Sequence, residues 1–263
     1  MSSRPVIALL TDFGLSDHYV GVMKGVVAGI CPAALVIDIT HDIPRQDIRT
    51  GAFELGVSWR FFPPETIFVA VVDPGVGTNR RALAARVGAR TFVAPDNGLL
   101  DLVLAEQPAS QAVELTNPRY ARALVSATFH GRDKFAPAAA WLARGTPIDA
   151  LGDAVELRMR LPWPMPDVAA AEVTGEVLHV DRFGNLITNI HRRIWPAVVD
   201  IDGVRVAGHG PVTLVRAYGE AAPGELVALF GSSEWLEVAV TEGSAADRLG
   251  VGRGAVVQVS RHA

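Results

Sequence analysis

The sequence has little cysteine, no clustered positive charge and no long apolar runs. Its single cysteine, Cys31, rules out an intramolecular disulfide and fits a reducing cytosol. The formal net charge of −4, with no run of Lys or Arg, gives no reason to expect a nucleic-acid partner. No stretch has the length of a secretory h-region or of a membrane span, so we expect no membrane partner and a cytoplasmic protein.

Familiar catalytic motifs are missing as well. The sequence contains no P-loop, GxGxxG, GxSxG, HExxH or CxxC pattern, which argues against an ATPase, a dehydrogenase, a serine hydrolase or a thiol-bound metal protein. What the chain does have is 263 residues, 49% of them hydrophobic and 20% charged. That is the profile of a globular protein with ample core for one large domain or two modest ones.

The strongest single pattern begins with an unbroken apolar run, Ile67–Val72, which predicts a strand buried on both faces. The strand must end at Asp73–Gly75, because proline removes a backbone donor and glycine admits a turn. This places Asp73 at the carboxyl end of a central strand, where open α/β sheets bind ligands. Arg80 and Arg81 return positive charge towards it. A surface turn capped by Asp73, with an exposed arginine pair, remains the alternative.

The first part of the chain alternates between apolar runs and amphipathic segments, which predicts a βαβαβ opening and a doubly wound, mostly parallel α/β sheet. The predicted strands are Val6–Leu10, Leu35–Ile39 and Ile67–Val72, and the predicted helices run from about Asp17 to Pro32 and from Asp47 to Phe61. Further predicted elements are a hairpin of Ala82–Val87 with Thr91–Ala94, a helix Leu99–Glu106, and an Ala-rich helix from Phe129–Asp133 to Gly145.

A Pro-Trp-Pro-Met-Pro segment, Pro162–Pro166, predicts a stiff linker between an α/β domain (1–163) and a smaller domain (167–263). Short alternating strands predict an antiparallel β-barrel in the second domain. They are Glu172–Val180, Leu186–Ile190, a segment at 198–201, Val204–Val206, Val212–Val215, Leu226–Phe230, Trp235–Val240 and Ala255–Val259. Asp202–Gly203 is a two-residue hairpin signal.

Chemistry-bearing side chains follow the strands of the first domain. Asp12, His41 and Asp42, and Asp73 come after three successive strands, and a later loop supplies His130 and Asp133. Because the carboxyl ends of parallel strands share one edge, these groups should converge, which favours a site over a set of turn caps.

In the second domain, a turn places Phe183 between Asp181 and Asn185, where an exposed ring would suit a flat ligand such as a nucleobase. A purely structural hairpin is the alternative. The Gly231–Ser233 turn could offer backbone donors and hydroxyls to a ligand carboxylate, although such turns are common.

Eight motifs, in order along nearly the whole chain, resemble one family. They are Leu10–Gly14, Tyr19–Gly25, Asp38–His41, Val72–Gly77, Ala94–Leu100, Phe129–Asp133, Asp181–Asn185 and Gly231–Ser233. Together they look like the S-adenosyl-L-methionine (SAM) hydroxide adenosyltransferases, the adenosine-forming SAM hydrolases, which are related to fluorinating and chlorinating adenosyl halide synthases.

The resemblance implies the reaction of SAM with water to give adenosine and L-methionine, without a cofactor or metal, in a homotrimer whose sites use the first domain of one subunit and the second of its neighbour. It places the family's catalytic set on Asp73, Arg80 and His130, with Arg81 as the alternative to Arg80. The implied substrate contacts are Asp12 to the ribose and Phe183 and Asn185 to the adenine, with main chain near Val240 and Glu242 at the adenine edge. The methionine part would be held by Asp17, Asp181 and Ser232, with Ser233 as a further candidate.

One departure from the relatives is Gln46, which stands where fluorinating relatives have a tryptophan; those relatives also carry an insertion absent between Arg80 and Asn97. Three other functions remain open. A chloride-using halide synthase or a non-catalytic SAM- or adenosine-binding protein would use the same pocket. A metal-dependent hydrolase would draw its ligands from Asp12, Asp38, His41, Asp42, Asp73 and His130.

Overall fold

A computed structural model describes residues 4–158, 160–194 and 201–261. It divides the chain into two units, Met1–Pro162 and Trp163–Ala263. The strands of the first unit are β1 Val6–Thr11, β2 Leu35–Thr40, β3 Ile67–Val71, β4 Ala82–Val87, β5 Arg90–Pro95 and β6 Gln111–Glu114. Its helices are α1 Tyr19–Ile30, α2 Ile48–Ser58, α3 Asp101–Glu106 and α4 Ala136–Ala143, with a π-helical turn, Gly131–Phe135, leading into α4.

The six strands form one sheet in the order β2-β1-β3-β5-β4-β6. Strands β2, β1, β3 and β5 pair in parallel, whereas β4 is antiparallel to both of its neighbours. The chain therefore goes from β1 outward to β2 and then back across β1 to β3. The carboxyl ends of β1 and β3 flank the point at which this connection reverses, and such a switch point is where doubly wound sheets open a crevice.

The inner strands β1, β3, β5 and β4 are buried on both faces, as their continuous apolar runs predict, whereas the edge strand β2 is partly exposed. In β1, Ile7 and Leu9 belong to the core on one side, and Ala8 and Leu10 to the core on the other. Residues of α1 and α4 complete the first core, and residues of α2 and α3 complete the second. The predicted α/β class is confirmed, as is the hairpin that joins β4 to β5. Strand β6 was not predicted, and α1 and α3 each begin two residues later than expected.

The second unit is a barrel. Its elements are β7 Asp167–Val168, β8 Glu172–Val180, β9 Leu186–His191, β10 Ile201–Val206, β11 His209–Leu214, β12 Leu226–Phe230, β13 Trp235–Val240, α5 Ala245–Leu249 and β14 Val256–Arg261. The strand order is β14-β10-β11-β12-β13-β9-β8-β7, and pairing of β14 with β8 closes seven strands into a barrel. All neighbours are antiparallel except β11 and β12. The predicted barrel is confirmed.

The prediction of a hairpin turn at Asp202–Gly203 is wrong. Both residues lie within β10, where Gly203 follows a register shift against β14. The turn lies at Ala207–Gly208, where φ is 48° and 84°, and it brings Val206 opposite His209. Two successive positive φ angles define a turn whose twist suits a hairpin. Such turns are recognised in sequences by Asn, Asp or Gly at the first position, and alanine stands there in this chain. Of the strand predicted at 198–201, residues 198–200 lie outside the described part of the chain.

Two short elements of this unit, β7 and α5, also escaped prediction, because each is too short to show a hydrophobic period. None of the helices in the described ranges combines the length and apolar character that crossing a membrane requires.

Candidate active site

The switch point of the first unit carries the acidic residues expected there. Asp12 directly follows β1, and Asp73 lies two residues beyond β3. The end of β3 is fixed by Asn97, whose side-chain amide donates to the Val72 carbonyl oxygen over 2.8 Å. This contact links the strand end to the Ala94–Leu100 motif and holds the start of the Asp73 loop.

Asp73, Arg80 and His130 lie together. The guanidinium of Arg80 donates through Nε to Asp73 Oδ1 over 2.8 Å and through Nη2 to Oδ2. The same Nη2 is 3.0 Å from Nδ1 of His130. The side chains of Arg80 and Asp73 are only 10% and 6% exposed, and His130 is 9% exposed. A fork-like, two-point ion pair of this kind is among the stronger hydrogen-bonded contacts in proteins, and it holds both partners in one orientation.

The contact with Arg80 also determines which nitrogen of His130 carries the proton. A guanidinium can only donate, so Nδ1 must accept and the proton of the neutral ring lies on Nε2. Burial lowers the pKa of His130, and the positive charges of Lys134 and Arg80 lower it further, against the opposing effect of Asp73 and Asp133. His130 is therefore a neutral imidazole whose Nε2–H group is a donor.

Backbone packing brings these side chains together from distant loops. Gly77 has φ of 79°, and a Cβ there would lie 2.5 Å from the carbonyl oxygen of Ala127, so glycine lets the Asp73 loop pack against the segment before His130. The ring of Phe135, in the π-helical turn after His130, lies 5.3 Å from the Arg80 guanidinium. π-Helical turns occur often at functional sites.

Two neighbours of the cluster serve other contacts. Arg81 donates to Asp96 over 2.7 and 2.9 Å, so Arg80 and not Arg81 pairs with Asp73. Asp133 is fully buried and accepts hydrogen bonds from the Arg132 side chain and from the Ser126 amide, and these bonds keep the pKa of Asp133 low despite its burial. It anchors the loop that carries His130.

A cleft of about 650 Å³ opens at the switch point. It is lined by Asp12, Asp17, Asp73 and Gln46, among others. The main-chain N–H of Gln46 donates to Asp12 Oδ2 over 2.8 Å. Gln46 has a φ of 64°, a backbone conformation that costs energy in a non-glycine residue. The main chain of Gln46 thus helps to orient Asp12. The sequence could not predict this role, because the contact does not depend on the type of side chain at position 46.

The other strand-end residues contact one another. Nδ1 of His41 lies 2.8 Å from the hydroxyl of Thr11, and Nε2 lies 3.1 Å from Asp38, which also accepts from Lys24 over 2.6 Å. Asp42 lines the cleft beside His41. Within the described ranges, no three His, Cys, Asp or Glu side chains lie close enough together to hold a metal ion.

The second unit has a larger cavity of about 1140 Å³. The carboxylate of Asp181 accepts from the amides of Phe183 and Asn185 and from the Asn185 side chain, at 2.8–2.9 Å. This fixes the turn and leaves the Phe183 ring 75% exposed at the cavity wall, as the sequence predicted. Ser232, Val240 and Glu242 line the same cavity, and Ser233 lies outside the lining.

The lining residues that the sequence analysis did not single out include Tyr218 and Glu237. Tyr218 lies in a 3₁₀ turn after β11, and its hydroxyl donates to Glu237, which projects from β13. The signal was present for Glu237, because it is the one charged residue within the otherwise apolar stretch Trp235–Val240. No such signal marks Tyr218.

The fold and these two sites define a two-domain protein: an α/β domain with a buried Asp–Arg–His cluster, followed by a β-barrel with an aromatic, acidic cavity. Two family models match it in succession, the SAM hydroxide adenosyltransferase N-terminal domain over residues 7–152 and the C-terminal domain over residues 175–258. The chain belongs to the SAM hydroxide adenosyltransferase family, so the resemblance noted from the motifs is confirmed.

Named relatives agree with this assignment, and a solved structure shares the fold. The chain is 44% identical to an (R)-S-adenosyl-L-methionine hydrolase of Salinispora arenicola over 99% of both chains. It is 31% identical to a fluorinase of an Actinoplanes species over 73% of both. Its fold matches the crystal structure of an uncharacterized conserved protein from Thermotoga maritima with a TM-score of 0.92 and 38% identity, covering 97% of this chain and 100% of that one.

Proposed function

We propose that this chain hydrolyses SAM to adenosine and L-methionine through attack of water on the ribose C5′. The observation that carries the proposal is the buried cluster of Asp73, Arg80 and His130 at the switch point of the sheet. The name of the 44% identical relative, which aligns over the whole chain, supports this substrate rather than a halide reaction. The fluorinase relatives are less similar and align over a smaller share of the chain.

The substrate chemistry suits such a cluster. The leaving group is a neutral thioether, which needs no proton, so the difficulty lies with water, whose pKa of about 15.7 makes it a poor nucleophile. Attack forms the C5′–O bond and breaks the C5′–S bond, and the bonding electron pair goes to sulfur. Because hydroxide and sulfonium neutralise each other in the transition state, a site that excludes water favours the reaction.

We assign the three side chains different parts in this step. Asp73 accepts the proton of the water, and Arg80 holds that carboxylate in place and stabilises negative charge on the attacking oxygen. His130 orients the water by donating from Nε2, since its Nδ1 already accepts from Arg80. General base catalysis of this kind typically contributes about 10²- to 10⁴-fold to the rate.

The substrate contacts are proposed to be divided between the two parts of the chain, a catalytic domain (1–163) and a barrel domain (167–263). The proposed contacts are Asp12 to the ribose, Asp17, Asp181, Ser232 and Ser233 to the methionine part, Phe183 and Asn185 to the adenine, and the main chain near Val240 and Glu242 to the adenine edge. The cavity positions of Phe183 and Asn185 and the cleft positions of Asp12 and Asp17 support this division.

Because both parts contribute to binding, we further propose a homotrimer in which neighbouring subunits complete each site, acting in the cytoplasm and without a cofactor. The single, buried cysteine supports a reducing compartment.

The direct test is to incubate the purified protein with SAM and measure adenosine and L-methionine by chromatography. Both sulfonium configurations are supplied, because the relatives' name specifies (R). In H₂¹⁸O, the label should enter the 5′-hydroxyl of adenosine. Parallel reactions contain chloride or fluoride, or a chelator such as EDTA.

Each alternative predicts a different result in these reactions. A 5′-halogenated nucleoside would indicate a halide synthase, and activity abolished by the chelator and restored by Zn²⁺ or Mn²⁺ would indicate a metal-dependent hydrolase. Binding of SAM in calorimetry without any product would indicate a binding protein. We expect adenosine and methionine in equal amounts, with a rate unchanged by the chelator.

A further inference from the structure

The barrel contains a carboxyl group that the proposed mechanism does not use. Glu237 lies in the middle of β13 and is 7% exposed, and every other residue of that strand is apolar and buried. Burying an acidic group costs free energy unless hydrogen bonds compensate for it. Burial accordingly raises the pKa of Glu237, and the charge of Asp181 raises it further. We therefore expect a hydrogen-bond partner that compensates for the burial of the Glu237 carboxyl group.

That partner is the hydroxyl of Tyr218, which donates to Oε1 of Glu237. Tyr218 is 41% exposed and lines the same cavity as Phe183. Its burial, together with the bond to Glu237, raises the pKa of the phenol. Tyr218 therefore lines the cavity while its hydroxyl is held by Glu237 of the barrel wall.

The neighbouring turn is shaped around the carboxyl group. A Cβ at Gly231 would lie 2.6 Å from Oε2 and 2.9 Å from Oε1 of Glu237. Any side chain at position 231 would displace the carboxyl group from Tyr218. The glycine at position 231 is thus explained without any ligand, because it leaves space for the Glu237 carboxyl group.

We propose that Glu237 is a positioning residue that holds the Tyr218 ring as a preformed wall of the barrel cavity for a flat, uncharged ring of the ligand. The proposal rests on the proposed function, in which that cavity binds the adenosyl group. Tyr218 belongs to a turn that is otherwise held by its own backbone hydrogen bonds and by an exposed contact between Arg216 and Glu220. Without Glu237 the ring would have to be ordered when the ligand binds, which weakens binding.

The first experiment compares steady-state kinetics with SAM for Tyr218→Phe, Glu237→Ala and the double variant. We expect each to raise KM by about twofold to tenfold, the equivalent of ordering one side chain, with kcat within twofold of wild type. The double variant should be no worse than the poorer single one. Glu237→Gln keeps an acceptor oxygen and should recover most of the loss in KM. Glu234→Gln, an exposed residue three positions earlier that pairs with Arg192, is the matched control.

The proposal is overturned if KM is unchanged in Tyr218→Phe and Glu237→Ala, if their kcat falls instead, or if the effects of these two substitutions simply multiply in the double variant. A folding defect in Glu237→Ala does not affect the comparison of Tyr218→Phe with Glu237→Gln, because both replacements are nearly isosteric.

A second measurement needs no substrate. The chain has three tyrosines, so the ultraviolet titration of wild type minus that of Tyr218→Phe isolates the Tyr218 phenol. The same difference measured in the Glu237→Gln background should show ionisation at lower pH, and identical curves would refute the contact. If wild type does not hydrolyse SAM, the proposed function fails, and adenosine affinity by calorimetry then replaces KM in testing the role of Glu237.

Discussion

Two adjacent arginines show how much can depend on the direction of one side chain. Arg80 turns inward to Asp73 and His130, whereas Arg81 turns to Asp96 and to the Glu156 carbonyl oxygen. Their neighbours in sequence are nearly the same, so the motif suits either residue as the partner of Asp73. The structure distinguishes them because β4 begins at Ala82, and the strand fixes the direction in which the preceding residues point.

Lysine at position 80 should show that the guanidinium fork, and not charge alone, is needed. Arg80→Lys keeps the positive charge but cannot bind Asp73 at two points and His130 at the same time. We expect kcat to fall by about 10²- to 10³-fold, the usual loss when a donor to developing charge is removed, with a smaller change in KM. Arg81→Lys is the matched control and should retain nearly full turnover. Equal losses in both variants would contradict the assignment.

The protonation state of His130 makes a prediction about stability and pH. Its lowered pKa means that the folded protein favours the neutral ring, so the unfolded chain binds more protons near the ordinary histidine pKa of about 6.5. The stabilisation is complete above that pH and is lost as the pH falls through the lower folded-state value. Wild type should therefore lose more thermal stability between pH 7.5 and 5 than His130→Asn, whose side chain can still accept from Arg80.

The control for this experiment is His209→Asn, which removes an exposed imidazole. It should follow the wild-type dependence of Tm on pH. A His130→Asn curve parallel to wild type across the whole range would show that His130 does not prefer the neutral form.

At the scale of secondary-structure elements, one glycine of α1 and one glycine of α2 differ in whether packing requires them. In α1, Gly25 is exposed, and a Cβ there would have no neighbour within 4 Å. In α2, a Cβ at Gly56 would lie 2.3 Å from a methyl carbon of Leu102 and 3.0 Å from its Cβ. The first glycine only loosens its helix, whereas the second lets α3 pack closely on α2.

Alanine at these two positions should shift stability in opposite directions. Gly25→Ala should raise the free energy of unfolding by about 0.5–1 kcal/mol, because alanine restricts the unfolded chain more than glycine does. Gly56→Ala should lower it by about 1–3 kcal/mol through overpacking against Leu102. Thermal and denaturant unfolding of both variants measures the difference, and a stabilised Gly56→Ala protein would contradict the packing described here.

For the whole molecule, the proposed homotrimer gives a mass that can be measured. Light scattering after size exclusion should yield three times the 28.0 kDa of the chain. Specific activity should fall on dilution if subunits dissociate, because each site would lose part of its ligand-binding residues. A monomer with full activity at every concentration would exclude shared sites while leaving the proposed chemistry intact.

The sequence by itself determined where the strands of the first unit end and which polar residues follow them. Apolar runs such as Ile67–Val72 and stops such as Asp73–Gly75 are local signals, so Asp12 and Asp73 could be placed at one edge of a parallel sheet. The resemblance to the family added His130 and Arg80 as their companions, with Arg81 as the alternative to Arg80. In the second unit, local patterns likewise predicted most strands and the exposed ring of Phe183.

Only the tertiary structure decided which groups touch. In the structure, Arg80 rather than Arg81 pairs with Asp73, and the contact with Arg80 leaves the proton of His130 on Nε2. The hairpin turn lies at Ala207–Gly208 instead of Asp202–Gly203, and Tyr218 contacts Glu237. Each of these depends on the direction of a side chain or the register between strands distant in sequence. Hydrophobic periodicity encodes which face of an element is buried, but not which individual partner it meets there.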